Sequence, residues 1–93
     1  MKVEFSKRAA ADIQKVGTDS RRLFGDDVAA MLEARFRKIF EQIGELPDTA
    51  PNVEGRAGVH VLPLIRYPYK VFYRVFPDKV RILHIRHTSR RPW

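Results

Sequence analysis

Apolar positions recur along this chain in two rhythms, one of period two and one near 3.6. Lys2-Val3-Glu4-Phe5 alternates polar and apolar like a short strand, and Ser6 offers an N-cap hydroxyl ahead of Ala9-Ala10-Ala11. A helix is therefore predicted to follow at once. Ala9, Ile13 and Val16 keep near-helical spacing, and Gly17-Thr18-Asp19 weakens or ends it, so this first helix is expected to be short or frayed. After Phe24-Gly25, the pair Asp26-Asp27 supplies a cap and negative charge for the positive end of a second helix. There Val28, Leu32, Phe36, Ile39, Ile43 and Leu46 repeat at threes and fours until Pro47, one apolar stripe on a helix of about five turns. Two helices joined by a few residues predict an antiparallel hairpin.

From Pro47 to Gly58 the prolines, glycines, Asn52 and Asp48 favour turns, and a loop is predicted. Period-two segments then predict three strands, Val59 to Leu64, Tyr69 to Phe76 and Lys79 to His87, with Pro77-Asp78 turning between the last two. The order strand, helix, helix, strand, strand, strand describes an α+β fold: a helical hairpin on one face of a small, mostly antiparallel sheet, a single domain over residues 1–93. Alternation places Tyr69, Val71, Tyr73 and Val75 on the helix-facing side and Lys70, Phe72, Arg74 and Phe76 on the other. In the last strand Leu83 and Ile85 alternate with Ile82, His84 and Arg86, so both faces carry apolar residues, the pattern of a central strand.

A chain of 93 residues with 44% hydrophobic side chains has room for one core and no second domain. With no cysteine, disulfides, thiolate metal sites and thiol nucleophiles are excluded. Charges interrupt the N-terminal apolar residues, so no signal peptide is read there, and no window supplies the ~20 apolar residues of a membrane span; a cytoplasmic protein is expected. The net charge of +7 is unevenly spread. Residues 1–55 hold nine Lys/Arg against ten Asp/Glu, whereas residues 56–93 hold nine against Asp78 alone. The last two fifths thus form either a basic surface for an anionic partner or a solubilising face.

Several segments carry a family likeness: Phe5-Ser6 with Ala9 and Asp12-Ile13; the long second helix ending at Leu46-Pro47; Arg66-Tyr67-Pro68-Tyr69-Lys70-Val71-Phe72-Tyr73-Arg74-Val75; and Ile82 through His87 to Trp93. Together they resemble the RelE/ParE superfamily of toxins and plasmid-stabilisation proteins. The resemblance implies the toxin of a type II toxin–antitoxin pair, growth-inhibiting when free. It also implies a cognate ParD/RelB-like antitoxin that forms a hetero-oligomer with it through a disordered segment folding on contact. RelE-like members cut mRNA in the ribosomal A site, whereas ParE-like members poison DNA gyrase without chemistry of their own.

Metal-free RNA cleavage needs proton transfer at the 2′-hydroxyl and cations for the extra phosphate charge. If the chain is a nuclease, the catalytic candidates are His87, as the acid or base, with Lys70 and Arg66; no metal or cofactor is implied. Arg74, Arg86, Arg90 and Arg91 are the candidates for contact with a target. By the same resemblance Lys70 stands roughly where RNA-cutting members place a phosphate-stabilising arginine, and a lysine supplies charge there without a bidentate fork. The tyrosine or further basic residue that some cutters carry beyond the last strand is not matched in Thr88 to Trp93, and the terminus looks nearer the ParE branch. Structural roles remain open for the same residues. His84 and His87 fit hydrogen-bonded positions at a strand end, Tyr69 and Tyr73 fit packing, and Pro92-Trp93 either packs the tail or recognises a partner.

Overall fold

The computed structural model describes residues 1–89. Strand β1 (Lys2–Phe5) leads into helices α1 (Lys7–Phe24) and α2 (Asp26–Glu45), followed by β2 (Val59–Pro63), β3 (Tyr69–Val75) and β4 (Lys79–His87). The sheet order is β1-β4-β3-β2; β1 runs parallel to β4 and the other neighbours are antiparallel. This is the α+β architecture that the hydrophobic rhythms predict, with β4 inside the sheet as its two-faced pattern requires.

Helix α1 begins where expected, with the Ser6 hydroxyl accepting the Ala9 N–H at 3.0 Å. It does not stop at Gly17. It runs to Phe24, with Gly17 half-buried on the side of Glu33 of α2, Ser20 buried, and Lys15–Asp19 adding an i,i+4 ion pair at 2.9 Å. Gly25, at φ 91°, both ends α1 and caps α2, so Asp26 and Asp27 lie inside the first turn of α2 and act through the helix dipole, not as caps. The apolar stripe of α2 is buried at Leu32, Phe36, Ile39 and Ile43, but its two ends, Val28 and Leu46, are exposed.

The stripe packs on Val71 and Tyr73 of β3 and Val80, Ile82 and Ile85 of β4. Ile82 and Ile85 are three residues apart, a spacing that strict alternation would send to opposite faces. The β3/β4 register resolves this: Phe72 pairs with His84 and Tyr73 with Ile82, leaving Leu83 as the extra residue of a bulge. The expected grouping of Leu83 with Ile85 is therefore corrected. Ile82 joins Ile85 in the core, and Leu83 is only partly buried. His84 consequently turns to the other face, where it is wholly buried and stacks on Phe72 at 4.6 Å. The loop from Pro47 to Gly58 follows the free edge of β2, with Val53 N–H on Val59 O and Val61 N–H on Pro51 O. It is tied to β3 by the buried Tyr73 hydroxyl, which donates to Pro47 O at 2.7 Å.

Strand β1 ends opposite Ile82, so beyond that point β4 has lost its parallel neighbour. Side chains from the start of α1 replace it. Ser6 Oγ donates to Leu83 O at 2.7 Å, and Asp12 Oδ2 accepts the Ile85 N–H at 3.0 Å. These two bonds fix α1 across the end of β4.

Two tests follow from this packing. Asp12→Ala strands a buried donor and is expected to cost about 1–3 kcal/mol in denaturant unfolding. Asp12→Asn, whose amide oxygen still accepts, should lie near the parent; equal losses in both would argue against the edge-closing role. The second concerns His84, whose pKa is lowered to about 4, first by burial and then by the nearby cations Arg8 and Arg86. Since the unfolded imidazole titrates near 6.5, the unfolded state binds more protons between those values. Stability is thus complete above pH ~6.5 and falls as the pH drops towards 4, by on the order of 3 kcal/mol. His84→Phe should flatten that slope in a pH series of unfolding midpoints.

Candidate functional site

The β3/β4 ladder presents two chemically distinct faces. On the helix side Tyr69 pairs with His87, the rings meeting edge to face at 5.3 Å, and Tyr69 rests in turn on Phe36 at 5.8 Å. His87 is half-buried at the mouth of a cleft of about 330 Å³ between α1 and the end of β4. Arg8, Asp12, Lys15 and Asp19, spaced by fours and threes, form the α1 wall of that cleft. The Ser89 N–H donates to His87 Nδ1 at 3.2 Å and the Ser89 hydroxyl lies 2.7 Å from the same nitrogen. With Nδ1 engaged, any proton exchange with a substrate falls to Nε2. Asp19 is held below its ordinary carboxylate range, first by the hydrogen bond from Lys15.

On the outer side, Lys70 stands directly opposite Arg86, and Arg74 opposite Arg81. Like charges facing each other across strands cost stability, and the fold offsets only part of that cost. Glu4 accepts from Arg81 through Nε at 2.8 Å and Nη2 at 2.7 Å, with Lys79 Nζ at 3.4 Å. The Arg81 bond is the largest cause of a lowered Glu4 pKa. Phe76 lies under both cations, 5.4 Å from the Arg81 guanidinium and 5.6 Å from Lys79 Nζ. Arg74 is exposed; its Nη1 lies 3.6 Å from where a Cβ would stand on Gly58, a residue whose φ of 75° suits glycine. The Phe72–His84 stack fills the space between the two cationic pairs.

The candidates from the sequence are thus divided. His87 belongs to the helix-side cleft, while Lys70, adjacent to Tyr69 on β3, points through the sheet to the outer face with Arg74. Arg86 is paired with Lys70 on the outer ladder and also borders the cleft. Arg66 is exposed in the β2–β3 turn with φ 74°, a conformation that a non-glycine residue seldom adopts. The turn is closed by Leu64 N–H on Tyr69 O at 2.9 Å, and Thr88 N–H on Pro68 O ties it to the end of β4. Arg90, Arg91 and the Pro92-Trp93 pair lie outside the described residues. Among the described residues no group of three or more His, Asp or Glu is placed to hold a metal ion, and no helix is long and apolar enough to cross a membrane. Sequence reasoning passed over the α1 wall. The spacing of Arg8, Asp12, Lys15 and Asp19 was the available signal, since it puts four charges on one helical face.

Comparison with known proteins places this geometry. No curated protein sequence matches the chain. Among solved structures it is similar to the chromosomal ParDE toxin–antitoxin system of P. aeruginosa, with TM-score 0.82 and 23% identity over 94% of this chain and 95% of that one. The isolated E. coli RelE toxin superposes with TM-score 0.62 at 20% identity, covering 97% of this chain and 86% of the other. The toxin in the E. coli RelBE complex gives the same score and identity, over 97% and 98%. At these identities the likeness establishes a shared fold. The family is shown by sequence: residues 3–92 match the model for the ParE toxin of the type II toxin–antitoxin system parDE. The chain therefore belongs to the ParE toxin family of type II toxin–antitoxin systems, and it shares its fold with the RelE toxin.

Proposed function

We propose that this toxin acts in the cytoplasm by poisoning DNA gyrase, and that a cognate ParD-like antitoxin holds it inactive in a hetero-oligomer. The observation that carries the reading is the match of residues 3–92 to the ParE toxin family. The division of the candidate residues supports it. A general acid or base and the cation meant to stabilise the phosphate must reach one reacting centre, and His87 and Lys70 sit on opposite faces of the sheet. Binding tolerates that division; cleavage at His87 would have to draw its phosphate-stabilising charge from Arg8, Lys15 or Arg86, which line the same cleft, in place of Lys70.

An antitoxin partner is supported by the solved relatives, which include a ParDE system and a RelBE complex. It is also supported by charge. Residues 56–93, with nine cations against one acid, suit an acidic segment that is disordered until it binds. A groove of about 600 Å³ along the hairpin seam offers Ile13, Val16, Leu32, Phe36 and Phe40 to apolar side chains, with Arg21 and Arg37 among its lining. A segment with apolar residues at helical spacing and carboxylates beside them would match it.

One observation favours a second reading, a ribosome-dependent mRNA endonuclease: Lys70, Arg74 and Arg86 share the ladder of the outer face, a surface suited to phosphate. The two readings separate in one experiment. The chain is induced without its antitoxin, mRNA 5′ ends are mapped, and purified gyrase is assayed for supercoiling. Lost supercoiling or trapped DNA cleavage with intact mRNA is expected, and His87→Ala should keep its toxicity. Codon-phased cuts with normal gyrase, abolished by His87→Ala, would overturn the proposal in favour of the nuclease.

A further inference from the structure

Residues 64–68, which join β2 to β3, are anchored on both sides of an outward step. Leu64 is buried and Tyr67 packs against the core. Backbone bonds hold the turn, from Leu64 N–H to Tyr69 O and from Tyr69 N–H to Tyr67 O, both at 2.9 Å, and from Thr88 N–H to Pro68 O at 2.8 Å. Between the two anchors the chain is pushed out. Ile65 is 68% exposed, the most of any large apolar side chain among the described residues, and Arg66 beside it is exposed too. The φ of Arg66, 74°, lies in the left-handed region, where glycine sits without strain and an arginine does not. Neither residue lines the hairpin groove or the cleft at His87, and among the described residues no carboxylate pairs with Arg66. A strained backbone that holds an unpaired cation and an isoleucine in water serves no packing need, and such strain collects where a ligand is met.

The composition of the turn indicates what it meets. Pro63, Ile65 and Pro68 are exposed in the same stretch as a single guanidinium. A nucleic-acid backbone is gripped by several cations at once and would leave the isoleucine in water. A protein surface with a carboxylate set among apolar side chains satisfies both residues, Arg66 by a two-pronged charged bond and Ile65 by burial. We propose that Ile65 and Arg66 are the contact through which this toxin recognises the protein of its target, an acidic and partly apolar patch on gyrase. The inference rests on the gyrase reading and adds to it which part of the toxin makes the contact and the chemistry of the surface it takes. Because the turn is fixed before binding, the contact forms with little ordering cost.

The test measures affinity of the purified free chain for purified gyrase, with inhibition of supercoiling and the unfolding midpoint read on the same samples. Arg66→Gly is expected to weaken binding at least about tenfold and to raise the half-inhibiting concentration by a similar factor. Its unfolding midpoint should equal or exceed that of the parent, because glycine relieves the strained φ. Arg66→Glu should lose more than Arg66→Gly, and Ile65→Ser several-fold, with its midpoint close to the parent since the side chain is exposed. A purely structural role for Arg66 would move affinity and midpoint together, so a loss of binding that only tracks a lowered midpoint would overturn the proposal. Parental affinity in Arg66→Gly and Ile65→Ser would overturn it as well, as would a loss confined to the antitoxin, measured in parallel. A parent chain that does not bind gyrase at all would overturn the gyrase reading and this contact with it, an outcome told apart from the others because it shows in the parent and not only in the variants.

Discussion

Strand β4 is a central strand with only half of a neighbour on one side, and the rest of the molecule is arranged around that shortfall. β1 supplies four residues of parallel pairing and stops at Phe5, opposite Ile82. Beyond it the backbone of β4 would meet α1 with open donors and acceptors, each expensive to bury unmade. Ser6 and Asp12 take up those groups at Leu83 O and Ile85 N. The helix is thereby docked by hydrogen bonds as well as by apolar contact. Ser6 serves twice, capping α1 through its lone pair and bonding β4 through its proton.

The bulge at Leu83 falls at the same place, just past the end of β1. It returns Ile85 to the core beside Ile82 and sends His84 outward beneath Phe72. Past the bulge, Arg86 and His87 sort to opposite sides of the sheet. Chemistry and topology are therefore coupled. The residue that deletes one step of alternation decides that His87 looks towards α1, with Tyr69, while Arg86 joins Lys70 on the outer ladder.

Much of this was legible in the sequence because the deciding signal was periodic. The period of 3.6 in Leu32, Phe36, Ile39 and Ile43 and the period of two in Tyr69 to Val75 each survive into the fold, and the helix-facing set on β3 is the one that alternation predicts. Where the rhythm misled, a non-periodic contact won. Gly17 and Thr18 look like a stop, yet the helix runs through them to Phe24, with Ser20 buried beyond them. Leu83 looks like a core residue, yet it is the bulge. Asp12 was visible only as one letter of a family likeness. Its bond reaches 73 residues along the chain, a distance at which local patterns carry no information. Nor could alternation within β3 alone separate His87 from Lys70, because their relative placement depends on the register between two strands.

The outer ladder gathers cations that the fold compensates only in part. Two cationic pairs face each other across β3 and β4, an arrangement that weakens the isolated sheet. Glu4 relieves one end of it, and Phe76 gives Lys79 and Arg81 a ring face to rest on. Arg74 at that end is exposed, over the glycine that lets the loop come close. An anionic partner laid along this face would relieve the remaining repulsion as it bound, so part of the folding cost would reappear as affinity. A nuclease would need the same cations to converge with a proton carrier on one phosphate. His87, the residue proposed for proton transfer in a nuclease, faces the opposite way, held by Ser89 and by the ring of Tyr69. The thickness of the sheet separates His87 from Lys70 and Arg74, and Arg86 borders both surfaces, so it is the residue through which the outer ladder reaches the cleft.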